Sequence, residues 1–126
     1  MALARCVALS ALLFSSGCAT VTTADGARLR LASADFRAYV ERVFREQNRV
    51  SDELAFALEA PAADRGELEG ADRRLLDACA GVNELATAQR DERRLGIRRS
   101  SASARSVPAC ERAARDAARL IDPRGQ

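Results

Sequence analysis

The sequence predicts an all-α fold: an antiparallel helical hairpin with a shorter third helix, stapled by one disulfide. Three observations predict it. Apolar residues recur at alternating steps of 4 and 3 from residue 36 to 57 and again from 68 to 85, the period of helices that each bury one face. Pro61 and Gly66 separate the two runs by so short a connection that the helices must turn back on each other. Cys79 and Cys110 remain as a pair within the helical part once Cys6 and Cys18 are assigned to the amino-terminal segment.

That segment directs the rest of the chain. Arg5 supplies a charged start, Val7 to Phe14 an apolar core, and Ser15, Ser16 and Gly17 the small residues before a cut, the pattern of a secretory signal over residues 1–17. The apolar run falls short of the roughly 20 residues needed to span a bilayer. Phe14-Ser15-Ser16-Gly17-Cys18 resembles the lipobox of bacterial lipoproteins. The resemblance covers only the first 20 or so residues. Gly17 is a small residue of the type the pattern demands before the cysteine, whereas Ser15 stands where leucine is commoner. The resemblance implies a diacylated Cys18 thiol, cleavage just before it and a fatty acyl group, such as palmitate, on the new amino terminus. Ala19, in place of an aspartate that would favour inner-membrane retention, implies the outer membrane, facing the periplasm. Three acyl chains exceed what stable anchoring requires. Gly17-Cys18-Ala19 also fits an ordinary small-x-small site, and cleavage after Ala19 would give a soluble periplasmic protein.

Composition narrows the chemistry. All 20 basic residues are arginine, and the formal net charge of the 126-residue chain is +2. Removing 17 residues leaves 109, with 19 arginines against 18 acids. A charge so near zero implies no nucleic-acid partner. The chain has no histidine and no lysine, so the usual neutral-pH base, Schiff-base amine and phosphate-loop lysine are all missing. Ser33, Ser51 and the serines of 100–106 have no such base to activate them, and Asp91-Glu92 lie beside arginines that keep carboxylates ionised. The expectation is a protein that is not an enzyme, with no cofactor, metal or small-molecule substrate.

Along the chain, residues 18–32 are expected to form a lipid-anchored tether. Thr20 to Thr23, Asp25-Gly26 and the alternating Arg-Leu-Arg-Leu of 28–31 could pair as a β-hairpin, but an isolated one is marginal in water, so an extended linker with a turn at Gly26 is favoured. Leu29 and Leu31 are candidates to dock on the helices. A helical domain then fills 33–126. Ser33 and Asp35 start a first helix, about 33–59, whose seam runs Phe36, Val40, Val43, Gln47, Val50, Leu54 and Ala57. Arg37/Glu41 and Arg49/Glu53 on its other face are i,i+4 pairs. Asp64-Arg65-Gly66-Glu67 has capping-box form and opens a second helix, about 65–95, with Leu68, Ala71, Leu75, Ala78, Val82 and Leu85 along its seam. Gly81 there permits close helix approach. Residues 96–107, rich in Ser and Arg, are expected to be a flexible loop, and Pro108 to open a third helix, about 108–122, with a frayed tail beyond it.

In an oxidising periplasm Cys79 and Cys110 are expected to bridge. Closing a ring of 32 residues stabilises by about 3 to 4 kcal/mol on the chain-entropy model. A zinc site would want four ligands, and the pair lacks Cys-x-x-Cys spacing. The function expected is therefore that of a membrane-anchored, non-catalytic binding or structural module. Two features could carry it. The first seam is longer than a third helix of 108–122 covers, leaving room for a coiled-coil-like contact with an envelope protein or a second copy. Arg90, Arg93, Arg94, Arg98, Arg99 and Arg105 outweigh Asp91 and Glu92 and could contact lipid phosphates or an acidic partner. The alternative is an inhibitor or accessory subunit of an envelope enzyme or transport complex, with 96–107 as its inserting loop.

Overall fold

In a computed structural model, residues 19–61 and 64–122 are described. The signal segment 1–17, Cys18 and the tail from Pro123 to Gln126 lie outside them. The elements, in order, are β1 (Thr20–Thr22), β2 (Arg28–Arg30), α1 (Ala34–Glu59), α2 (Arg65–Arg90) and α3 (Ile97–Ile121). The helices form an up-down-up bundle in which α2 packs most extensively on α3.

α1 begins where Ser33 accepts a hydrogen bond from the Phe36 amide, an N-cap that satisfies one of the free donors of the first turn. Its buried residues are Phe36, Tyr39, Val43, Gln47, Val50 and Leu54, the expected seam with Tyr39 in place of Val40 and with Ala57 only half-buried. On the outer face Arg49 pairs with Glu53 as expected, while Glu41 pairs with Arg45. Such exposed pairs contribute only about 0.3 to 0.5 kcal/mol each. Gln47 is a polar member of the seam, and its amide donates to Asn83 of α2 at 2.8 Å.

α2 starts at Arg65, but Asp64 makes no side-chain cap and the capping box does not form; the Glu67 amide donates instead to the Asp64 carbonyl. The helix ends at Arg90, not 95. Glu92 takes a positive φ of 51°, the Arg93 amide donates to Ala88 O and the Glu92 amide to Gln89 O, which together close the last turn as a Schellman motif.

The largest departure is in α3. Residues 97–107 are helical, and Pro108 lies buried inside the helix instead of opening it. The buried stripe begins with Ser103, Ala104 and Val107 and continues through Cys110, Glu111, Ala114 and Ala117. Small residues are required at its start because α2 is so close. A Cβ placed on Gly81 would lie 3.0 Å from Ser103 Cα and would collide with the Ser106 hydroxyl. Proline costs the helix one hydrogen bond, and burial on both sides of it outweighs that loss. At 25 residues α3 is nearly as long as α1, and the first seam is used within the chain, with Val40, Phe44, Ala57 and Leu58 left partly exposed along its edges.

The amino-terminal segment also differs from an extended linker. β1 and β2 pair antiparallel, Val21 opposite Leu29, around Gly26 at φ 88°. The hairpin is stable because it is not isolated: Val21 is buried, and Leu29 and Leu31 pack against the core.

Cys79 and Cys110 form the expected disulfide, with Cα atoms 4.5 Å apart near the midpoints of α2 and α3. Replacing both with alanine, or reducing the bridge, is expected to lower unfolding free energy by about 3 to 4 kcal/mol. Urea unfolding with and without reductant measures this, and coincident midpoints would contradict it.

Candidate functional site

Two clusters of charge stand out, one internal and one at an end of the bundle. The internal cluster is centred on Glu111, whose side chain is only 3% exposed. Its oxygens accept from Tyr39 Oη at 2.7 Å, Arg42 Nη1 at 3.0 Å, Arg115 Nη2 at 2.7 Å and the Ala24 amide at 3.3 Å. Arg115 in turn grips Asp25 at the hairpin turn through two bonds of 2.8 and 3.0 Å, and Arg42 lies over the Tyr39 ring. One carboxylate therefore joins α1, α3 and the hairpin.

Burial alone would raise the Glu111 pKa; the hydrogen bonds from Tyr39, Arg42 and Ala24 and the charge of Arg115 outweigh it and hold the carboxyl below its ordinary value. Asp25 is likewise lowered, chiefly by its hydrogen bond from Arg115. Tyr39 is pushed the other way, by burial first and then by donating to Glu111. A cleft of about 390 Å³ beside this cluster is lined by Arg42, Arg45, Arg49 and Arg115. Each of these guanidinium groups is paired with a carboxylate, so the cleft offers no free cation.

The second cluster is the turn between α2 and α3, Arg93-Arg94-Leu95-Gly96-Ile97-Arg98-Arg99. Five of the six arginines singled out in the sequence, Arg90, Arg93, Arg94, Arg98 and Arg99, come together here. Arg105 lies two turns further along α3, exposed and away from the tip. Arg90 pairs with Asp91, and Arg99 with Glu84, which also accepts from Ser103. Arg93, Arg94 and Arg98 form no ion pair among the described residues. Ile97, between the two arginine pairs, is 87% exposed. The first turn of α3 has no acidic residue and no side-chain cap, so Arg98 and Arg99 sit against the positive end of the helix dipole.

The same end of the bundle receives the chain from its amino terminus. The Leu31 amide donates to the Ala19 carbonyl at 3.0 Å, and Leu31 lines a cleft of about 410 Å³ together with Phe36, Arg93, Leu95 and Ser100. Charge is divided along the long axis. Residues 51–74, around the opposite end, carry seven carboxylates against Arg65, Arg73 and Arg74, and the last turns of α3 there add Asp116 and Asp122 against Arg115 and Arg119, an excess of acid. Residues 90–99 carry five arginines against two carboxylates.

Sequence reasoning missed the Glu111 cluster and the exposure of Ile97. The signal for the first was present: Glu111 falls beside Cys110 and between Val107 and Ala114 on the buried stripe, with Arg115 four residues on to pair with it. No protein-family model, curated protein or solved structure matches the chain. Among the described residues, no helix is long and apolar enough to cross a membrane, and no three His, Cys, Asp or Glu side chains converge as metal ligands would.

The pH dependence follows from the directions of these shifts. A carboxyl with a lowered folded pKa adds stability that is present above the ordinary carboxylate range and is lost as pH falls through the folded value. A tyrosine with a raised one adds stability that is lost as pH rises above about 10. Glu111→Gln is expected to lose about 1 to 3 kcal/mol at neutral pH and to flatten the acid limb below about pH 4.5. Thermal unfolding of both proteins between pH 3 and pH 7 measures it, and parallel acid limbs would contradict the assignment.

Proposed function

We propose that this chain is a lipid-anchored protein of the bacterial envelope, held by acyl groups on Cys18 at the periplasmic face of the outer membrane, and that it acts as a non-catalytic binding or structural module. The observation that carries the proposal is the run from Leu12 to Cys18, an apolar stretch that ends in small residues and a cysteine. The disulfide supports it, since such bridges persist in oxidising compartments and are rare in the cytosol.

The hairpin gives the anchor a consequence. Ala19, the residue after Cys18, is already hydrogen-bonded to Leu31, so ordered structure begins at once and no flexible spacer intervenes. A bundle joined to its anchor in this way stays within a few ångströms of the lipid surface. The work such a module can do there is to present its helical faces to neighbouring envelope components. Grooves such as the one between α1 and α2, about 540 Å³ and lined by Val40, Phe44 and Ala86 among charged residues, are the surfaces available for it.

The test is the intact mass of the protein recovered from bacterial membranes. The expected product begins at Cys18, carries a thioether-linked diacylglycerol and an amide-linked acyl chain, and gains two hydrogens on reduction of the disulfide. An unmodified chain beginning at Thr20 in the soluble periplasmic fraction would overturn the proposal.

A further inference from the structure

The turn between α2 and α3 joins three properties that no need of the fold explains. It exposes a large aliphatic side chain, Ile97, at 87%. It flanks that side chain with Arg93, Arg94 and Arg98, none of which forms an ion pair among the described residues. It also lies at the end of the bundle where Ala19 enters, opposite an end where carboxylates outnumber arginines. An exposed apolar side chain flanked by unpaired cations matches a surface that is negatively charged outside and apolar just beneath, which is the interface of an anionic bilayer.

We infer that the α2–α3 turn is a membrane-docking tip: Ile97 enters the interfacial region of an anionic phospholipid surface while Arg93, Arg94 and Arg98 engage headgroup phosphates. The inference rests on the proposed anchoring at Cys18 for its choice of a lipid surface over a protein one. Guanidinium groups suit this role because their planar forks donate two parallel hydrogen bonds to a phosphate and remain charged at every physiological pH. The carboxylate-rich far end is repelled by the same surface, so attraction at one end and repulsion at the other hold the long axis upright. Lipid at Cys18 supplies permanence; the tip supplies orientation.

Two other features of the surface are weaker. Phe56, 77% exposed, has Asp52, Glu53 and Glu59 within one turn of it on α1, carboxylates that an anionic lipid surface would repel. The Glu111 cleft is neutralised internally by its own ion pairs.

The test uses the oxidised chain from Ala19 to Gln126, which holds all five elements and the disulfide and lacks the acylation site, with its helical content verified by circular dichroism. Co-sedimentation is measured with vesicles of phosphatidylglycerol in phosphatidylcholine and with phosphatidylcholine alone. Binding is expected only to the anionic vesicles and is expected to weaken as salt is raised. The triple variant Arg93→Gln, Arg94→Gln, Arg98→Gln is expected to bind roughly 100-fold more weakly, and Ile97→Gln about 10-fold more weakly. Phe56→Gln is expected to bind like the parent. Failure of the parent to bind anionic vesicles, or equal binding by the parent and the triple variant, overturns the docking tip. Neither result bears on acylation of Cys18, which the mass measurement decides independently.

Discussion

The close approach of α2 and α3 at their midpoints is the constraint from which the rest of the bundle follows. Cys79 and Cys110 bring two backbones within 4.5 Å, and Gly81 lies against Ser103 and Ser106 one turn away. Helices packed through ordinary side chains keep their axes about 8 to 10 Å apart, and only small residues at the contact allow a nearer crossing. This explains why Ser103 and Ala104 stand on the inner face of α3 opposite Gly81 and why most of the larger apolar side chains of the core sit on α1 and α2. α1 then closes over the remaining groove, with Val43, Val50 and Leu54 against Leu75 and Val82 in one core. The core is small and much of it is alanine, which buries little area, so a covalent link between the two most closely packed helices takes a large share of the stability.

The second constraint is Glu111. A carboxylate buried among apolar side chains is costly unless it is fully hydrogen-bonded, and here four donors from three parts of the chain converge on it. Two of those parts are helices, and the third is a hairpin that could not persist alone. Its attachment turns what composition describes as a tether into a third wall of the domain. The position of Ala19 relative to the arginine-rich turn is thereby fixed, and the charge asymmetry of the bundle acquires a direction with respect to Ala19.

Much of this was legible in the sequence. The period of α1 and of most of α2 survives in the buried residues because their contacts are made by Leu, Val and aromatic side chains, which hydropathy registers. The disulfide followed from counting cysteines. The first half of α3 was hidden because its contact with α2 at Gly81 is too close for large residues, so before Val107 its inner face is Ser103 and Ala104 and resembles loop composition. Pro108 reinforced that error, since proline ordinarily opens a helix. The end of α2 was hidden because a glutamate, Glu92, takes the left-handed position where glycine is the usual marker. The hairpin was under-read because what holds it is distant in sequence: the core that buries Val21 and receives Leu29 and Leu31, and Glu111 and Arg115, 87 and 90 residues away from the turn residues they bond. Of the candidate site, the arginines were visible as composition, whereas the exposure of Ile97 among them is a property of the fold alone.

The central claim is that the bundle stands on the membrane with its α2–α3 turn down. It is tested most directly in the acylated protein reconstituted into phosphatidylglycerol-containing vesicles, by an environment-sensitive fluorophore attached at residue 97 or, in a parallel sample, at residue 56. The account predicts a blue-shifted emission at 97, quenched by lipid-borne quenchers, and an aqueous spectrum at 56. An aqueous spectrum at 97, or lipid contact at 56 in its place, would contradict it.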